Sequence, residues 1–259
     1  MESGNMPTEH HLKTQTDPNK VLFRLKKDLP KFKRFKVDDN GFDEYIQGIP
    51  FGLTVFYGEP GSGKSKLASY IANSVASKGF SVLYVISESM IDIERLDSSI
   101  YTANFTIYLP KWQNVLDQIY ALLNHTKADL LILDSITKLF SETSKAVEEA
   151  DLRDALSQLK QDLSGVIPII GISQIRGSGQ FLYPAGGRAI DHESDLLIYF
   201  EKIPYKNVLG KIRKSAVNDI YTLHVEKDKH GLAYQSSALQ VKYKKTMQKE
   251  ELELSILEE

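Results

Sequence analysis

The chain predicts an α/β fold: a mostly parallel sheet flanked by helices, with an antiparallel C-terminal extension. Three observations predict it. Short, nearly continuous apolar runs recur along the chain, as strands covered on both faces require. Between these runs apolar residues return at helical spacing, so strand and helix alternate as in βαβ units. After Asp195 the texture changes to strand-like runs separated by turn residues, which reads as an antiparallel appendage on the sheet's edge.

The elements follow in chain order. Leu53–Tyr57 is apolar and β-rich and forms the first strand of the core. Leu67, Ala68, Ile71, Ala72, Val75 and Ala76 recur at helical spacing until Gly79 stops the helix. Ser81–Ile86, Asp129–Leu133 and Val166–Ile172 are further buried strands. Trp112, Val115, Leu116, Ile119, Tyr120 and Leu123 form one helical stripe, with Trp112 as a core anchor at its head. Leu152, Ala155, Leu156, Leu159 and Leu163 form another. The appendage comprises Leu196–Glu201, Lys211–Ala216, Ile220–Glu226 and Ala233–Lys242.

Outside this core, residues 1–19 are polar and read as a disordered tail. Residues 20–40 form a basic arm, in which eight basic residues between Lys20 and Lys36 face a single acid, Asp28. Leucines and phenylalanines are interleaved with them, so the arm either packs its apolar residues on the core or contacts nucleic acid or a partner. Residues 41–245 form the core. Residues 246–259 form an acidic tail, where five glutamates in Glu250–Glu259 predict fraying.

Composition sets the limits. A chain of 259 residues with 42% hydrophobic content can bury one sizeable core. A net charge of −2 supplies no global field toward nucleic acid, so any such contact must come from local patches. The absence of cysteine excludes disulfides, thiolate zinc sites and cysteine nucleophiles together. No apolar run approaches a membrane span, and the polar stretch Met1–Lys20 lacks a secretory apolar region. The expectation is a soluble cytoplasmic protein with no membrane partner.

Eight residues carry most of the chemistry. Gly58, Glu59, Pro60, Gly61, Ser62, Gly63, Lys64 and Ser65 fill the pattern G-x-x-x-x-G-K-[ST], between a strand's end and a helix's start. There the backbone N–H groups can wrap phosphate oxygens, and the helix terminus adds partial positive charge. Lys64 reaches the β/γ-phosphates and the Ser65 hydroxyl ligates Mg²⁺. Lys66 completes the phosphate-binding set on the helix's first turn. The cofactors expected from the motif are therefore a nucleoside triphosphate and Mg²⁺.

Polar residues beyond the other strand ends carry the remaining information, because open parallel sheets bind ligands there. Asp134 follows Leu130-Leu131-Ile132-Leu133, the Walker B pattern, and would hold Mg²⁺ through its water shell. Glu88 follows the strand Ser81–Ile86 and is placed to deprotonate the attacking water; capping a helix is its other reading. Gln174 follows Ile169-Ile170-Gly171-Ile172-Ser173 and can report a γ-phosphate, its amide both donating and accepting. The catalytic set is thus Lys64, Glu88 and Gln174.

These residues resemble the RecA/RadA/KaiC group of P-loop ATPases over about residues 37–231. Gly41-Phe42-Asp43, followed by Gly48-Ile49-Pro50-Phe51-Gly52, is similar to that group's approach to its phosphate loop. Glu88 with the later Glu94-Arg95-Leu96 is most similar to archaeal RadA and its paralogues. By that resemblance Glu88 is the catalytic glutamate, and Arg95 lies against the adenine as a stacking cation. The segment from Arg176 to Ile190 is similar in position to the recombinases' second DNA-binding loop. Its glycines, with Arg176, Phe181, Tyr183 and Arg188, suit a single strand; an ordinary mobile loop over the nucleotide site is the alternative. Ser141–Ala150 stands where the first such loop would be, but carries three glutamates against Lys145. Lys227-Asp228-Lys229 resembles the Lys-x-Lys that RecA-like proteins insert into a neighbour's active site, and also reads as a charged surface turn.

The resemblance implies an ATPase that binds DNA, single-stranded in the family pattern, and acts in or modulates recombination, repair or replication. It further implies a homo-oligomer with ATP at the subunit interface and a recombinase partner. Residues 1–50 contain no Phe-x-x-Ala assembly hook, which points to a single-core paralogue rather than a full strand-exchange recombinase. A ring-forming DNA motor (helicase or packaging ATPase) and a KaiC-like regulatory ATPase not acting on DNA remain alternatives. So does a protein that binds ATP without needing to hydrolyse it.

Overall fold

A computed structural model describes residues 34–37, 41–87, 96–104, 112–140, 149–177, 182–203, 218–231, 238–245 and 250–257. Several expectations fall outside them: the tail and most of the basic arm, Glu88, Arg95, the loop 141–148, Phe181 and the run Lys211–Ala216.

Arg34–Phe35 (β1) and Ile49–Pro50 (β2) form a small antiparallel ladder on either side of the helix Phe42–Ile46 (α1). The main sheet uses Leu53–Gly58 (β3), Val82–Ile86 (β4), Tyr101–Asn104 (β5), Leu130–Asp134 (β6), Ile169–Arg176 (β7) and Leu196–Ile203 (β9). Tyr183–Pro184 (β8) pairs antiparallel with the end of β7. Asn218–Asp228 (β10), Ala238–Lys245 (β11) and Glu250–Leu257 (β12) complete it. The order is β12-β11-β10-β9-β3-β7-β6-β4-β5. Pairs from β5 to β9 are parallel, and those from β9 to β12 are antiparallel. The parallel α/β core with an antiparallel C-terminal extension is therefore the observed fold.

Strand alternation divides the core into two layers. On one face Phe56, Tyr84, Ile132 and Ile170 pack with Leu67, Ile71 and Val75 of the helix Lys64–Ser77 (α2). On the other, Val55, Tyr57, Val85 and Leu133 pack with two helices, Trp112–Thr126 (α3) and Glu149–Leu163 (α5). From these, α3 supplies Val115 and Ile119, and α5 supplies Leu152, Leu156 and Leu159. Among the described residues two further short helices are Ile136–Leu139 (α4) and Gly187–Glu193 (α6). Among the described residues no helix is long and apolar enough to cross a membrane.

Three readings change. The acidic C-terminus, expected to fray, is the edge strand β12 through Leu257. Its backbone register pairs Glu250, Glu251 and Glu253 with Lys245, Lys244 and Lys242 of β11. The segment after Gln174 is not one loop. It runs as a hairpin, β7–β8, and then as α6, so Arg188 belongs to a helix. The short strand β5 escaped notice because Tyr101-Thr102-Ala103-Asn104 lacks the apolar run that marks the interior strands.

Candidate nucleotide site at the strand ends

Strand β3 delivers the phosphate loop directly into α2. Gly63 takes the cap position with φ +88°, a left-handed conformation that favours glycine, and no side chain caps the helix. The N–H groups of the first turn are therefore left for an anion rather than for a capping oxygen. A cavity of about 220 Å³ opens here, lined by Gly61 through Lys66 and by Tyr221 of β10. A side chain at Gly63 would start 3.1 Å from the Tyr221 ring. Lys202 holds its ammonium 5.7 Å from that ring's centroid. Tyr221 is the residue that sequence reading missed: Ile220–Glu226 reads as a strand, but nothing in it says which side chain underlies the loop.

Lys64 is 6% exposed. Its ammonium donates to the carbonyl oxygens of Gly58 (2.9 Å) and Glu59 (2.7 Å) and to Ser62 Oγ (3.2 Å). The cation is thus folded beneath the loop whose phosphate ligand it would meet. Glu59 and Gly61 are exposed at the rim, and Ser65 is half-buried on α2's first turn.

The Walker B strand arrives two places away. Asp134 ends β6, in register with Ile86 of β4 and Ile172 of β7. It is 6% exposed and accepts a hydrogen bond of 3.1 Å from the Tyr84 hydroxyl. Its peptide bond to Ser135 is cis. Ser87 ties the two strand ends together: its N–H donates to Asp134 O (2.7 Å), and its Oγ accepts from Ser135 N–H (2.8 Å). Glu88 follows immediately, outside the described residues. Among the described residues no group of three histidine, cysteine or acidic side chains converges. A buried strand-end carboxylate and a hydroxyl on the loop helix still suit Mg²⁺. That ion commonly takes one or two protein oxygens and fills its remaining positions with water and phosphate.

Gln174 lies opposite Gly58 in the β3–β7 register, so the γ-phosphate sensor candidate and the start of the phosphate loop are lateral neighbours. Its carbonyl accepts from Ala185 N–H (2.6 Å) and from Ser173 Oγ (3.0 Å), which pins the base of the β7–β8 hairpin. On that hairpin Arg176 is paired in register with Tyr183, and both are exposed. Tyr183 and Arg188 line one cavity; Arg176 does not.

Lys227 and Lys229 are engaged within the chain. Lys227 donates to the Asp191 carbonyl and stands 3.7 Å from the Asp191 carboxylate. Lys229 stands 3.4 Å from Asp195, which also binds Lys160 at 2.7 Å. Burial, followed by nearby Lys160, lowers the Lys229 pKa. Asp228 between them is a buried anchor, bonded to Arg34 at 2.5 Å with side-chain exposures of 0% and 4%. Arg34 also donates to Ile46 O and Gly48 O. This member of the basic run is therefore a structural cation, and the β10 turn is clamped to β1.

Residues 53–174, from β3 to Gln174, match the NACHT domain family. The DNA repair protein RadA of Chlamydia pneumoniae is 31% identical over 186 residues, 70% of this chain and 40% of that protein. RadA of Campylobacter jejuni is 31% identical over 179 residues, 67% of this chain and 40% of that one. The chain thus spans about two fifths of the length of these curated relatives. A KaiC-like protein of Pyrococcus horikoshii superposes with a TM-score of 0.61 at 17% identity, over 86% of this chain and 99% of its own. With the phosphate loop, the acid two strands away and the parallel order around β3, these likenesses make the chain a member of the RecA/RadA/KaiC-like P-loop ATPases.

Proposed function

We propose that this chain binds ATP with Mg²⁺, hydrolyses it, binds single-stranded DNA, and acts in or modulates recombination, repair or replication. One observation carries the reading. An uncapped helix start and a buried lysine follow β3, and a buried carboxylate ends β6, two places away in the parallel part of the same sheet. In this reading the first-turn N–H groups and Lys64 hold the phosphates, and Ser65 and Asp134 hold the metal and its waters. A bound Mg²⁺ would neutralise charge on the phosphoryl oxygens. Glu88 takes the proton of the attacking water; the bond to the γ-phosphorus forms as the bond to ADP breaks. Its place is supported by Ser87, which fixes the chain just before it against Asp134. Arg95 would cover the adenine.

Gln174 links this chemistry to the β7–β8 hairpin, whose base it shares with Gly58. Arg176, Phe181, Tyr183 and Arg188 are the proposed strand contacts. The RadA names of the relatives support a repair role, while the match covers only part of those proteins. In a homo-oligomer with ATP between subunits, Lys227 and Lys229 would exchange Asp191 and Asp195 for a neighbour's phosphates.

The test is the ATPase rate with and without single-stranded DNA, beside solution mass with and without nucleotide. Turnover that rises with DNA, together with nucleotide-dependent assembly, is the expected result. Turnover indifferent to DNA would favour a regulatory KaiC-like ATPase, and turnover coupled to translocation a ring motor.

A further inference from the structure

A second cavity, of about 430 Å³, lies at the end of β3 on the core layer opposite α2. Tyr57 forms part of its wall, and Tyr183 of β8 and Arg188 and Asp191 of α6 stand around it. Glu226, in the bulge that interrupts the β9–β10 register between Val225 and Lys227, supplies a further carboxylate. None of these residues touches the phosphate loop cavity, whose lining is separate.

The chemistry of the wall selects the occupant. Lys227 stands 3.7 Å from Asp191, and the lining carries a cation, Arg188, as well as the carboxylates Asp191 and Glu226, so neither a phosphate nor a bare cation finds a uniform field. Tyr57 hydrogen-bonds Glu226, and burial first, then that carboxylate, holds its hydroxyl well above the usual tyrosine range. Tyr57 therefore remains a donor, and the Glu226 carboxylate keeps further acceptor sites. Tyr183 is 48% exposed, and its strand is held to β7 through Arg176. A flat, uncharged heterocycle that both donates and accepts matches such a wall: aromatic faces to stack on, a guanidinium for its acceptors, a carboxylate for its N–H groups.

We propose that this cavity takes one unstacked nucleobase of a bound single strand, stacked on Tyr183 and read at its edge by Arg188 and Glu226. The proposal rests on the DNA-binding reading above and adds to it a site for a base. It also joins the two functions physically. Tyr57 precedes Gly58, which opens the phosphate loop and is the register neighbour of Gln174.

The experiment uses the full chain with a non-hydrolysable ATP analogue. It compares the affinity of a labelled single-stranded oligonucleotide with that of its fully abasic counterpart. The intact strand should bind roughly five- to a hundredfold more tightly, the range expected for one base on an aromatic ring. Tyr183→Ala should remove most of that preference. Glu226→Gln should reorder affinity among the four homopolymers, a readout that a purely structural role would not move. A preference that survives Tyr183→Ala, with an unchanged homopolymer order in Glu226→Gln, would overturn the cavity and leave DNA binding standing. If no oligonucleotide binds, the DNA reading fails, and ligand-observed NMR with free guanosine and adenosine decides the cavity. A signal abolished by Tyr183→Ala keeps the base chemistry with a free nucleoside as its source; no signal overturns it.

Discussion

At the scale of single residues, Lys64 and Gly63 make opposite demands on the same loop. Lys64 spends its three donors on Gly58, Glu59 and Ser62, so a triphosphate replaces interactions already satisfied inside the chain. Lys64→Ala should abolish tight ATP binding by calorimetry, and unchanged binding would remove the premise of the site. Gly63 has both a left-handed φ and a ring at 3.1 Å from its absent Cβ. Gly63→Ala should cost about 1–3 kcal/mol in stability, since the backbone strain and the ring contact add. Adding Tyr221→Ala should relieve the ring contact alone, so the strain remains. Full recovery in the double variant would show that φ is not the constraint. The loop was legible in the sequence because its eight residues are contiguous. Tyr221 was not, because it arrives from a strand about 160 residues further on, and periodicity names no neighbour for it.

At the scale of elements, the turn after β10 joins the extension to β1 and α6. Asp228 neutralises Arg34 across a gap of 194 residues, deep enough that neither side chain meets much water. Removing one partner of a buried pair leaves the other charge uncompensated. Asp228→Ala should therefore lose about 3 kcal/mol by chemical denaturation. Replacing both Arg34 and Asp228 by apolar residues should cost less than that single change. His230, on the same turn, has its pKa lowered below the ordinary 6.5, by burial first and by Arg34 second. The unfolded chain then binds the proton more readily than the fold does. Stability from this group is complete above pH 6.5 and falls as pH drops from there toward the lower folded value. His230→Asn should flatten that acid-side slope in urea midpoints measured across pH; an unaltered slope would assign it to the carboxylates. From the sequence, Lys227-Asp228-Lys229 showed two cations and a turn. The acid between them decided the packing, and that needed Arg34 to be found.

At the scale of the molecule, β12 closes one end of the sheet, where β11 would otherwise present an open edge. Deleting residues 250–259 should lower the melting temperature and raise light scattering, because a bared, paired-in-register strand is a template for association. Unchanged scattering would mean that β11 is protected in another way. By itself the sequence determined the alternation of strand and helix, the phosphate loop, and the acid that ends β6. These rest on local spacing, and a motif of neighbouring residues keeps its chemistry wherever its element is placed. Only the tertiary structure decided that β3 lies between β7 and β9, that Tyr221 underlies Gly63, and that Arg34 is spent on Asp228. It alone also set Tyr183, Arg188 and Glu226 around one cavity. The reason is that pairing between distant strands is chosen by register and by the whole set of buried surfaces, and no stretch of the chain carries that choice alone.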